Sequence, residues 1–146
     1  MKSIPLSIAI LIISLTSFNA KAIDENINSE SLCFISTNQK TPFGLEFKIY
    51  TDVAQKWSYG YVKYNTSEQK IPVVLTSIKI NSGEDDNSSN LVQTWVEVIN
   101  KAITGEYTLK VNGIHSELFY KNYKKHDKQH SFLLDTSQSD YICRNP

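Results

Sequence analysis

Three histidines, His115, His126 and His130, fall within sixteen residues of one another. His126 and His130 are four apart, a spacing that would aim two imidazoles the same way on a helix and could begin a metal site. Here they flank a polar segment, Tyr123 to Gln129, with no carboxylate placed to complete the ligand set. A site needs three or four ligands, so the simpler reading is loop histidines and no metal. In and beside that segment lies the chain's main basic cluster, Lys121, Lys124, Lys125 and Lys128 with His126 and His130, broken by Asp127. Such a cluster is a candidate partner-binding loop for an acidic surface. Lysines on a hairpin tip also block edge-to-edge strand pairing, and that role alone accounts for them.

Carboxylates offer less. Glu84-Asp85-Asp86 lacks the spaced ligands of a calcium loop and reads as a solvated turn. Glu106 and Glu117 fall on one face of an expected hairpin, where an acid/base pair would need burial. With Lys110 and Lys121 close by, they read instead as surface ion partners. No Gly-x-Ser-x-Gly nucleophile elbow occurs, and no catalytic residue is assigned. The expectation is a protein that is not an enzyme and that needs no cofactor.

The aromatic residues Trp57, Tyr59, Tyr61 and Trp95, with Tyr64, are the remaining candidates. They could wall a pocket for an apolar or sugar-like ligand. Aromatic side chains are also the ordinary filling of a small β core. Asn65-Thr66-Ser67 and Asn87-Ser88-Ser89 match the N-glycosylation acceptor pattern, relevant only in a glycosylating host.

The ends of the chain place these residues in a compartment. Met1-Lys2-Ser3 precedes an apolar run from Ile4 to Phe18, followed by Asn19-Ala20-Lys21-Ala22. A basic start, a short apolar core and a small-x-small end read as a secretory signal peptide over residues 1–22. The run of about 15 residues is too short to span a bilayer, which takes roughly 20. A mature domain of residues 23–146 follows, expected to be periplasmic or secreted with no membrane anchor. Without Lys2 and Lys21 it carries 13 basic against 15 acidic residues, and Arg144 is the only arginine. That balance argues against nucleic acid as a partner. Cys33 and Cys143, one near each end of the mature chain, are expected to form a disulfide in an oxidising compartment.

The elements that must position these side chains are short strands. Gly105 to Asn122 reads as a hairpin turning at Asn112-Gly113, a sequence suited to a type I′ turn. That turn would set Val111 opposite Ile114, Leu109 opposite Ser116 and Tyr107 opposite Leu118. Residues 23 to 31 read as a loose lead-in, followed by strands at Leu32–Thr37, Phe43–Tyr50 and Trp57–Tyr64. Ile71–Ile80 follows, with Pro72 at a strand start or an edge. Asn81 to Asn90 reads as a surface loop. Leu91–Ile99 fits a helical stripe or a strand, and its β-branched residues favour the strand. His130–Thr136 and the terminal Tyr141-Ile142-Cys143 complete eight or nine strands with hairpin-length turns. The expectation is an all-β fold, a small antiparallel barrel or sandwich closed by the terminal disulfide, with the barrel preferred.

A small exported β domain without catalytic residues is expected to bind. One class is an inhibitor- or immunity-type protein acting by protein–protein contact. The other is a small-ligand carrier with an aromatic-lined barrel mouth. The periplasmic lysozyme inhibitors share the scheme of a small barrel with few cysteines, and none of their motifs is matched here residue by residue.

Overall fold

The computed structural model describes residues 26–82, 89–125, 129–137 and Cys143. Eight strands run in chain order around a closed antiparallel barrel. They are β1 (Ile27–Ser36), β2 (Gly44–Asp52), β3 (Trp57–Tyr64), β4 (Lys70–Ser82), β5 (Ser89–Ile99), β6 (Ala102–Asn112), β7 (His115–Asn122) and β8 (Gln129–Leu134). The strand preference for Leu91–Ile99 holds, and the barrel is the alternative realised. Residues 27–31, expected as a loose lead-in, belong to β1 and pair with β2 from Ile27↔Asp52 onward. The terminal Tyr141-Ile142 lies outside the described residues.

Closure is the shortest ladder. β1 and β8 share only the pairs Phe34↔Leu134, Ile35↔Leu133 and Ser36↔Phe132. Hydrogen bonds extend the seam both ways, with Asp135 N–H donating to the Cys33 carbonyl at 2.8 Å and Thr37 N–H to Ser131 at 2.9 Å. The Asn38 amide adds a bond to the Gln129 carbonyl at 3.2 Å. Beside this seam Cys33 is joined to Cys143, a sequence separation of 110.

Strict alternation sends one residue in two into the barrel. Phe34, Leu45, Phe47, Val62, Val73, Trp95, Tyr107, Leu109, Leu118 and Phe132 are all essentially inaccessible. Their rings meet directly: Phe47 packs edge-on against Trp95 at 5.2 Å, and Tyr107 lies 4.5 Å from Tyr120 between centroids. An eight-stranded barrel has an interior that its own side chains can fill, and these large side chains occupy it.

The turns correct two expectations. The pair of residues with positive φ is Asn100 (51°) and Lys101 (64°), between Ile99 and Ala102, so the two-residue turn of type I′ character joins β5 to β6. At the β6–β7 hairpin only Gly113 has positive φ, and the ladder ends at Asn112↔His115. Gly113-Ile114 is therefore the loop, with glycine first as in a type II′ turn. The pairs are Val111↔Ser116, Leu109↔Leu118 and Tyr107↔Tyr120, a slip of two residues from the expected register. A slip of two keeps every side chain on its expected face. It moves Ile114 out of the ladder to a tip where it is 83% exposed.

Two bulges depart from alternation. One falls between Leu75 and Ser77 in β4 and turns Ile78 and Ile80 to the face of Gln93 and Leu91. The other falls opposite Glu97 and Val98 and leaves Thr104 as the extra residue of β6. Pro72 precedes Val73, the first residue of β4 that pairs with β5, so its missing N–H removes no bond from that ladder.

Candidate functional site

Glu97 is the one acidic residue buried in the barrel among the described residues, at 4% exposure. Its position follows from β5 alternation, because it lies on the same face as Trp95. The second bulge brings Thr104 Oγ1 to Glu97 Oε1 at 2.5 Å. The Tyr107 hydroxyl donates to Oε2 and the Tyr120 hydroxyl to Oε1, each at a long 3.4 Å. Tyr64 and Tyr107 share a hydroxyl contact of 3.0 Å, and the Asn122 amide donates to the Tyr120 oxygen at 3.2 Å. Burial, then the neighbouring Tyr64 and Glu97, pushes the Tyr107 phenol far above its ordinary value. Tyr120 is raised by burial first and by Glu97 next, and Tyr64 is raised by burial. With both oxygens supplied by hydroxyl donors, the carboxylate ties β5 to β6 and β7, and the Tyr64–Tyr107 contact extends the cluster to β3. As a strand, Leu91–Ile99 sets Glu97 two residues from Trp95 and so on the same face, but nothing in the sequence shows what that carboxylate accepts. An acid on the face that carries Leu91, Trp95 and Ile99 was the available signal.

A second grouping lies on the outer surface of β2, β3 and β4. Trp57 and Tyr59 stack with centroids 4.8 Å apart, and Tyr50 and Tyr59 with centroids 5.2 Å apart. Lys70 Nζ lies 4.5 Å from the Tyr61 ring centroid and Lys48 Nζ lies 5.8 Å from that of Tyr50. Trp57 is 50% exposed and Val74 40%. Tyr61 donates to Glu46 at 3.3 Å, and partial burial with that carboxylate beside it raises its phenol to about 12. Cross-strand pairing produces this surface, because Tyr50↔Tyr59 and Tyr59↔Val74 are consecutive partners on one face.

The four aromatic residues singled out as a ligand wall are thus divided. Trp57, Tyr59 and Tyr61 face outward together, whereas Trp95 is fully buried in the core. The basic cluster is divided as well. Lys121, Lys124 and Lys125 are exposed, while His126 and Lys128 lie outside the described residues. His130 is turned inward, opposite Tyr120, with its ring near Phe43 and its Nδ1 3.2 Å from the Gln39 amide. His115 sits at the other end of the barrel, opposite Asn112. Glu106 and Glu117 do not face each other. Their partners are Lys121 and Lys110, and the Thr108↔Phe119 pair lies between them. Glu106 instead accepts the Tyr123 hydroxyl at 3.0 Å. The acidic run Glu84-Asp85-Asp86 and the second glycosylation acceptor, Asn87, lie outside the described residues, and Asn65 of the first follows β3 directly.

The chain matches no family model, no curated protein and no solved structure, so its functional reading rests on this geometry.

Proposed function

We propose that the chain is an exported, periplasmic or secreted, binding protein of inhibitor or immunity type, acting by protein–protein contact. One contrast carries the reading: the barrel interior is filled by its own rings, while Trp57, Tyr50, Tyr59 and Tyr61 stand on the outside. Trp and Tyr are the side chains that most often dominate protein interfaces. Ordering them in advance lowers the entropy cost of binding, and here the stacking does so. The Cys33–Cys143 disulfide is compatible with an oxidising compartment, as the leader-like residues 1–22 also suggest. The small-ligand carrier is the second reading. The inward-turned but exposed Ile78 and Ile80, at 54% and 69%, favour it by leaving apolar surface at one barrel mouth.

A photo-reactive phenylalanine analogue at Trp57, introduced in the producing cell, tests the first reading. A discrete cross-link to another polypeptide is expected. A small organic adduct retained in native mass spectra of the purified protein, with no cross-link, would favour the carrier instead.

A further inference from the structure

β4 outruns the strand beside it. Its ladder with β3 ends at Tyr59↔Val74, whereas its ladder with β5 continues past the Leu75/Ser77 bulge to Ser82↔Ser89. Among the described residues, β4 is therefore paired on one side only from Ser77 to Ser82, and its other side is a free strand edge. In an antiparallel ladder each residue turns its N–H and C=O to the same neighbour, and successive residues alternate between neighbours. Every second residue of this stretch thus presents an unanswered donor and acceptor along the free edge. The inner side of the edge is apolar. Ile78 and Ile80 turn toward the barrel mouth yet are 54% and 69% exposed, because β3 does not continue far enough to cover them. Cross-strand pairing carries their rows onward as Ile80↔Leu91↔Val111 and Ile78↔Gln93↔Leu109. Lys79 is the one charge on the stretch. A lysine can guard an edge against pairing, but Lys79 lies on the opposite face from Ile78 and Ile80 and leaves their side open.

We infer that an extended segment of a partner protein completes this edge, adding a strand beside β4 with apolar side chains at every second position against Ile78 and Ile80. Strand addition answers both features at once: the ladder takes up the free N–H and C=O groups, and the alternation covers the two isoleucines. A small apolar ligand would cover Ile78 and Ile80 but answer none of the backbone groups. A second copy fits poorly, because antiparallel pairing of two such edges sets Lys79 opposite or diagonal to its own counterpart, a like-charge contact. So short an edge also falls well below the roughly 800 Å² per partner that a stable interface buries. The free edge opens beside Trp57, which lies two residues before Tyr59, the last residue of β3 in order from Tyr64 to pair with β4. The inference rests on the protein-binding reading above and adds the form of the partner's contact.

The test selects a phage-displayed library of random octapeptides on the mature, oxidised chain. Enriched peptides are expected to carry apolar residues at alternate positions. The best of them, made synthetically, should slow hydrogen exchange at alternate amides between Ser77 and Ser82. Two further versions of that peptide are N-methylated, each at one alternate set of amides. The version blocked on the side facing β4 should lose binding, and the version blocked on the other side should keep it. Ile80→Lys, checked for an unchanged melting temperature, is expected to bind the peptide roughly tenfold more weakly. If that variant melts early, Ile80→Thr replaces it, with the same direction of change. No enriched peptide, equal behaviour of the two methylated versions, or slowed exchange away from the β4 edge would overturn the inference. A Trp57 cross-link to a polypeptide that persists alongside such a result would leave the binding reading intact and remove only the added strand.

Discussion

Gly105 lies under the ring of Tyr120: a Cβ at position 105 would stand 2.7 Å from Tyr120 Cε2 and 2.8 Å from its hydroxyl oxygen. The missing side chain is what allows Tyr120 to lie across β6 and reach Glu97. Gly105→Ala should therefore push that ring aside, costing about 1–3 kcal/mol as overpacking does. Gly60 makes a harder case, since its Cβ would meet the Lys48 carbonyl oxygen at 1.9 Å, and backbone cannot swing away. Urea midpoints should fall further for Gly60→Ala than for Gly105→Ala. Equal midpoints would contradict this account of the two glycines.

Removing the carboxylate that those hydroxyls serve has a definite cost. Glu97→Leu leaves the Thr104, Tyr107 and Tyr120 hydroxyls without their acceptor, and the loss is expected to be about 2–4 kcal/mol. Glu97→Gln keeps one acceptor oxygen and should lose less. The ordering of the two in thermal melts checks the claim, and a Leu variant as stable as the parent would refute it.

Alkaline pH should unfold the barrel through its tyrosines. Tyr61, Tyr64, Tyr107, Tyr120 and Tyr123 all have phenols raised above the ordinary 10.0, with burial the leading cause in each. A raised value in the folded state means that, above pH 10, the unfolded chain binds fewer protons. Stability is then fully present below pH 10 and declines as pH climbs through and beyond it. Phenolate absorbance should rise in a late cooperative step that coincides with loss of the β-sheet circular dichroism. Smooth titration of all eight tyrosines near pH 10 with the sheet retained would exclude the mechanism.

Much of the barrel was legible because period-two alternation survives single-residue errors. Trp57–Tyr64 was read with its observed bounds, and the β-branched content of Leu91–Ile99 favoured the strand that forms. The hairpin register was not legible. Asn112-Gly113 satisfies a two-residue turn by type, but the ladder continues through Asn112, and the type I′ conformation falls on Asn100-Lys101 instead. Nor were the bulges visible, because an extra residue in a strand leaves no compositional mark. The one at Thr104 is what gives buried Glu97 its closest donor, so the polar cluster was hidden with it. The aromatic surface was half legible: Trp57, Tyr59 and Tyr61 were placed together, but whether a strand face looks inward depends on its neighbours, and Trp95 faces the other way.

The turn conformation itself can be tested. At φ +58° Gly113 occupies the left-handed region, where a side chain costs roughly 1 kcal/mol or more. Nothing lies within 4 Å of a Cβ there, so the penalty for Gly113→Ala is purely conformational. Gly113→Asn should recover part of it, since Asn tolerates that region. Matching denaturation midpoints for the Ala and Asn variants would argue that the turn relaxes to another form.

The disulfide should govern stability more than any single side chain. It ties Cys33 in β1 to Cys143 across 110 residues, beside a seam of only three register pairs. In the chain-entropy model, a closed loop of that length contributes on the order of 4–5 kcal/mol, by restricting the unfolded chain. Reduction, or Cys33→Ser/Cys143→Ser, should lower the urea midpoint accordingly while leaving the barrel folded at low temperature. The β1–β8 amides, Thr37 and Asp135 among them, should then lose hydrogen-exchange protection before those of β4, β5 and β6, which pair along much longer ladders. Uniform loss of protection around the barrel would mean that the seam is not its weak point.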